Sequence, residues 1–170
     1  MGVKYGMGPI ARPDAQLFLL GSLPGDASLA ARRYYAHPTN QFWRLLGGAL
    51  GEELQALAYE QRLARLAERR VGLWDVVAAA TREGSLDQAI RDAAHNPLAS
   101  LHRDFRHLRA IGFNGGMAAR VGRKLIGAPP GITLVDLPSS SAANTRPIAE
   151  KAAAWSRLAQ FVPPAQNGGR

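Results

Sequence analysis

Cysteine is absent from all 170 residues, which excludes disulfides, thiolate-held zinc and iron–sulfur clusters. Acidic residues are few: 13 Asp plus Glu stand against 21 Lys plus Arg, a net charge of +8, and only three of the cations are lysines. An excess of this size suits a polyanionic partner, because bound cations displace counterions from a phosphate backbone; a basic chain from an arginine-rich proteome would carry the same charge. No apolar run is long enough to cross a membrane and no signal-peptide pattern opens the chain, so a soluble cytoplasmic protein is expected. Several enzyme signatures are missing as well. There is no G-x-S-x-G elbow, no Walker loop with its lysine, no G-x-G-x-x-G and no zinc deaminase signature. Neither His102 nor His107 has metal-ligand spacing to an acid or a second histidine, so both read as surface residues and no metal or cofactor is expected.

What is present suits one core. With 46% hydrophobic residues the chain is long enough for a single domain, expected over 1–162, with 163–170 a disordered tail. Residues 16–20, 71–78, 110–113 and 132–136 read as buried strands, and 40–50, 52–70, 86–94, 117–126 and 148–159 as helices by the spacing of their apolar residues. Residues 1–14 are expected to cap the sheet loosely, and 81–85 to form a turn. Strand and helix alternate through most of the chain. That pattern predicts an α/β fold, a three-layer α/β/α sandwich around a mainly parallel sheet of about four strands.

In such a sheet, ligands sit at the carboxyl ends of the strands. Three polar, small-residue loops leave from those ends: GSLPG at 21–25, NGG at 114–116 and LPSSSAAN at 137–144. The first belongs to a long loop, 21–39, that also carries Tyr34 and Tyr35 and runs into His37-Pro38-Thr39-Asn40-Gln41-Phe42-Trp43. Four of the chain's 12 aromatics fall between 21 and 44, which argues against disorder there. Backbone amides and hydroxyls suit phosphate, amide side chains suit the edge of a base, and tyrosines suit stacking.

Taken together and in this order, GSLPG, YYAHPTNQFW (34–43), GLWDV (72–76) with REGSLD (82–87), FNG (113–115) and LPSSSAANTRP (137–147) resemble the hypoxanthine-DNA glycosylases of the uracil-DNA glycosylase superfamily, over roughly residues 15–160. The H-P-x-N-x-F-W element is also similar to one in the mismatch-specific uracil-DNA glycosylases. The resemblance implies a monomeric, metal-free base-excision-repair enzyme that flips a deaminated base out of DNA and hydrolyses its N-glycosidic bond. Hypoxanthine is the base it points to first, with uracil or xanthine as alternatives. A catalytically silent DNA-binding module of the same fold is the reading from another class, and a hydrolase of free nucleosides is disfavoured by the charge. No lysine lies in the three loops to support lyase chemistry.

Residue by residue, the resemblance implies that Asn40 positions the attacking water, a duty that relatives reading G-x-N-P-G give to an asparagine where this chain has Leu23. It implies that Asn114 grips the flipped base by its edge, that Tyr35 stacks on it beside Leu23, and that Ser22, Ser139, Ser141, Asn144 and Arg146 hold phosphate or DNA. Ala142 stands where the family usually has proline. The residues by themselves leave a second reading for each group. Asn40 suits a helix N-cap. Asn114 with Gly115 suits a tight turn, the tyrosines suit the core, with Tyr34 competing as the exposed neighbour, and the serines suit a flexible turn. Arg146 suits solvent. Asp26 and Asp75 could tune the water or the base but read better as helix caps or salt-bridge partners, and Phe42 and Trp43 read as core.

Overall fold

In the computed structural model, which describes residues 2–165, the chain is organised on strand β2 (Leu17–Gly21), buried at every position. A strand so uniformly apolar must be covered on both faces. It pairs in parallel with β3 (Val71–Asp75) on one side and β6 (Ala110–Asn114) on the other, and β7 (Thr133–Leu137) extends the sheet in the order β3-β2-β6-β7. Alternation splits the core. Leu17 and Leu19 face a cluster with Phe42, Trp43, Leu46, Leu66 and Trp155, which come from α2 (Phe42–Leu50), α3 (Tyr59–Glu68) and α6 (Ile148–Trp155). Phe18 and Leu20 face the other, formed with α4 (Leu101–Asp104) and α5 (Gly116–Ile126). Helix α5 approaches closely because Gly122 lies against the Phe113 ring, where a Cβ would come within 2.5 Å. These layers are the expected α/β/α sandwich with its four-stranded parallel sheet.

A second sheet departs from the sequence reading. Residues 71–78 form not one strand but the end-to-end pair β3 and β4 (Val77–Arg82), and β4 is the centre of an antiparallel sheet between β1 (Val3–Tyr5) and β5 (Ile90–His95). The helix expected over 86–94 is therefore a 3₁₀ turn, Asp87–Ala89, followed by a strand. The cause is a β-bulge. Ala79 pairs with Ala94 but Thr81 pairs with Arg91, and Asp92 takes φ 51, so the inward residues Ile90 and Ala93 fall three apart and imitate a helical stripe. The turn expected over 81–85 begins only after Arg82. Of the segment 1–14, the described residues 2–14 are held more firmly than expected, by β1 and by an Ile10–Leu73 bridge.

Smaller shifts follow the same logic. The helix expected from 52 starts at Tyr59, after a separate 3₁₀ turn at Leu54–Ala56, and the 21–39 loop contains a short helix, α1 (Asp26–Ala31). Of the expected tail, Pro163 gives its carbonyl to Arg69 at 3.0 Å, and 166–170 lie outside the described residues.

Candidate active site

Parallel strands end together, so their carboxyl termini form one rim. In register there stand Gly21 beside Asp75 and Asn114 beside Leu137. Above them opens a cleft of about 820 Å³. Ser22, Leu23, Tyr35 and Asn40 line it from one side, and Asn114, Ser139, Ser141 and Asn144 from the other. Arg146 stands apart, on an adjoining hollow with Asp136 and Pro138, while Arg91 and Arg120 line the main cleft.

The GSLPG loop is pinned from beneath. The Arg82 guanidinium, fully enclosed, donates to the carbonyls of Leu23 (3.1 Å), Pro24 (2.6 Å) and Gly84 (3.0 Å), and Asp26 lies 3.7 Å from it. Asp26 also pairs with Lys4 at 2.7 Å, which makes it the salt-bridge partner expected. Leu23 packs on Val77 and Ala80. The Ser22 hydroxyl donates to Asp87.

Tyr34 and Tyr35 part company. Tyr34 is 2% exposed and donates its hydroxyl to the Gly8 carbonyl at 2.7 Å, so it is core and not the exposed neighbour. Tyr35, at φ 53, lays its ring flat on Phe42, centroids 3.7 Å apart and planes 8° from parallel. One ring face is thereby occupied. Burial is the main cause that pushes both phenols well above their ordinary range, with the Asp75 carboxyl second, so both stay neutral O–H groups.

A continuous hydrogen-bond chain joins the two asparagines. Asn114 donates from Nδ2 to the Ser140 hydroxyl (2.9 Å) and to the Tyr35 hydroxyl (3.3 Å), and its Oδ1 accepts the Ser140 N–H (2.9 Å). Ser140 in turn donates its hydroxyl to Asn40 Oδ1 at 2.8 Å. That oxygen also accepts the Phe42 N–H at 3.0 Å, so Asn40 does form the helix-start contact its residue type favours. Both contacts fix Oδ1, which turns Nδ2 outward; it has no protein acceptor among the described residues.

The serine loop owes its shape to a buried lysine. Lys151, 1% exposed, donates from Nζ to Gln41 Oε1 (2.9 Å), the Asn144 carbonyl (2.8 Å) and the Ser141 carbonyl (3.3 Å). Desolvation lowers its pKa, and its three donors are spent, two on loop carbonyls and one on Gln41 at the start of α2. Within the loop Ser139 Oγ accepts the Ser141 N–H and Ser141 Oγ accepts the Ala143 N–H, each at 3.2 Å. Order here comes from Lys151 and these short bonds, with Ala142 in the proline position.

Three contributors escaped the sequence reading, and a fourth, Asp75, was given a structural role in preference to one in the cleft. Ser140 gave no signal, being one of three serines in a row. Lys151 gave a faint one, a charge three residues after Ile148 and four before Trp155 on an apolar stripe. Arg82 is an inward position of a strand not foreseen. Asp75 was read as a cap or salt-bridge partner and is neither: it ends β3, is 3% exposed, and among the described residues pairs with no cation and leaves Oδ2 without a partner. Burial, and then the Asp87 carboxylate, push its pKa up to about 7 against the pull of Arg82. A polar residue at the carboxyl end of a strand next to β2 was the signal available.

Among the described residues no group of three or more His, Asp or Glu side chains is placed to hold a metal ion, and no helix is long and apolar enough to cross a membrane. The profile of the Uracil DNA glycosylase superfamily matches residues 9–159. The chain is 41% identical over 153 residues to a hypoxanthine DNA glycosylase of Methanosarcina acetivorans, covering 90% of this chain and 96% of the relative. It is 38% identical over 152 residues to the protein of that name from Methanosarcina barkeri, covering 89% and 95%. Its fold overlays the solution NMR structure of an M. acetivorans protein named as a candidate uracil DNA glycosylase, with a TM-score of 0.83 at 40% identity, covering 94% of this chain and 98% of the other.

Proposed function

The chain belongs to the uracil DNA glycosylase superfamily and is a DNA glycosylase, a hydrolase of N-glycosyl bonds, and from that premise we propose that it excises hypoxanthine from DNA in base-excision repair. What supports the substrate is that two relatives named for hypoxanthine match about nine-tenths of the chain. What supports the site is one cleft gathering eight of the nine side chains singled out, beneath a basic chain of net charge +8.

Cleavage leaves positive charge on the sugar and negative charge on the base, so the site must place a water behind the sugar and receive the base in front. Asn40 Nδ2, held outward because Oδ1 is tied to Phe42 and Ser140, donates to the water oxygen and leaves a lone pair for C1′. No strong base is needed against a cationic sugar. The Tyr35 ring, backed by Phe42, offers its remaining face to the extruded base, beside Leu23. Asn114 reaches the base edge by giving up its 3.3 Å bond to Tyr35, the longest of its three. Ser22, Ser139, Ser141 and Asn144 hold the flanking phosphates, with Arg146 reaching DNA from the neighbouring hollow.

Uracil is the second reading, favoured by the designation of the NMR structure and by an amide at 114 that suits either base. End-labelled duplexes carrying one deoxyinosine, deoxyuridine or deoxyxanthosine, incubated in EDTA, decide the order. The expected result is breakage fastest at deoxyinosine, and only after alkali, as a monofunctional enzyme gives. Fastest cleavage at deoxyuridine would favour the uracil reading, and binding without cleavage of any lesion would leave a silent DNA-binding module.

A further inference from the structure

Two buried side-chain oxygens lack a hydrogen-bond partner among the described residues, Asp14 Oδ1 and Asp75 Oδ2. Asp14 is accounted for, since its other oxygen meets Arg12 at 3.1 Å and Arg70 at 3.5 Å near the surface. Asp75 is not. Its carboxyl lines the catalytic cleft at the foot of the GSLPG loop, 97% removed from solvent, with no cation paired to it. A Cβ added to Gly21 would lie 2.6 Å from Asp75 Oδ1 and 2.9 Å from the Tyr35 hydroxyl, so the acid and the proposed base-stacking phenol share one side of the same α-carbon.

The surroundings favour the neutral acid. Facing it are the hydroxyls of Tyr34 and Tyr35, the Asp87 carboxylate from the 3₁₀ turn after β4, and Arg82 from β4 itself. Arg82 is spent on three carbonyls and on Asp26, and a second carboxylate nearby opposes ionisation. A buried carboxylic acid with an oxygen left unpartnered, in the wall of a cleft where a base must leave, is placed to give a proton.

We propose that Asp75, as the neutral carboxylic acid, donates a proton to the departing base, a role that rests on the glycosylase reading above. As the C1′–N9 bond breaks, its electron pair goes to the purine and the Asp75 proton passes to N7. The water at Asn40 adds its oxygen to C1′ and releases one proton to solvent, from which Asp75 is reprotonated. Uracil has no N7. The acid therefore bears on purines more than on pyrimidines.

The test is the single-turnover rate on a deoxyinosine duplex from pH 5.5 to 8.5, for the wild type and Asp75→Asn, with 7-deaza-2′-deoxyinosine as a second substrate. The wild-type rate is expected to fall roughly tenfold per pH unit above about 7, and Asp75→Asn to lose that dependence and be slower at pH 6 by about 10²–10⁴ with DNA affinity retained. The wild type is expected to be slow on the 7-deaza substrate, a readout that needs no variant to fold. A wild-type profile flat between pH 6 and 8, an unimpaired Asp75→Asn, or normal cleavage of the 7-deaza substrate overturns the proposal and leaves the glycosylase reading standing. No cleavage of any lesion by the wild type would remove both.

Discussion

Ser140 and Asn40 stand one hundred residues apart in sequence, and the serine hydroxyl donates to the asparagine Oδ1 at 2.8 Å. The same hydroxyl accepts from Asn114, and the Ser140 carbonyl accepts the Gln41 N–H at 2.9 Å. One side chain thus sets the angle of both asparagines. The loop after β7 is tied to the start of α2 at Asn40, the residue proposed to hold the water.

Removing that hydroxyl tests the coupling. Ser140→Ala deprives Asn40 and Asn114 of their shared partner in a buried setting, a loss of about 1–3 kcal/mol. The variant is expected to fold with a lowered melting temperature and to cleave more slowly than the stability change alone explains. Thermal unfolding and single-turnover rates measured on one preparation check this.

Lys151→Met removes the buried ammonium and orphans Gln41 Oε1 and two loop carbonyls. A cost of about 3 kcal/mol is expected, which for a chain of this size lowers Tm by roughly 6–12 °C. Because the serine loop loosens, DNA affinity is expected to fall as well. A stable variant with normal affinity would show that the loop holds itself.

Gly21→Ala places a methyl between Asp75 and Tyr35, at 2.6 and 2.9 Å from their oxygens, closer than a Cβ tolerates. The carboxyl and the phenol must move apart. Cleavage is expected to drop on the order of 10²-fold, the loss typical of a misplaced reacting group, with little change in DNA affinity. Gel-shift titration alongside the rate measurement separates the two.

Asp75 also ties stability to pH. Its carboxyl rises from an ordinary 3.8 to about 7 on folding, so between those values the folded state binds the extra proton and the protein loses stability as pH rises. Asp75→Asn escapes the loss. It is expected to unfold at a higher temperature than the wild type at pH 8, by an amount bounded near 4 kcal/mol at about 1.4 kcal/mol per pH unit, with the advantage vanishing towards pH 4. Melting curves across that range decide it; a variant less stable at pH 8 would mean the ionised form is well accommodated.

The parallel sheet was legible in the sequence because β2, β3, β6 and β7 are short apolar runs between helical patterns, and their loops converge by topology alone. The antiparallel sheet was not. Its strand β5 carries a bulge that breaks the period of two, and β4 continues β3 with only Val76 between them, so nothing in the residues marks two strands. The cleft side chains in recognisable motifs, Asn40, Asn114 and Tyr35, were found. Those that hold them, Ser140, Lys151 and Arg82, act through burial and distance across the chain, which sequence spacing does not carry.

Asn40→Ala tests whether this amide positions the attacking water. Single-turnover cleavage of a deoxyinosine duplex is expected to fall by about 10²–10³, the loss seen when one positioned donor is removed, with the affinity for that duplex nearly intact. Cleavage near the wild-type rate, with only the ~1 kcal/mol destabilisation of a lost helix cap, would contradict it and reduce Asn40 to the partner of Phe42.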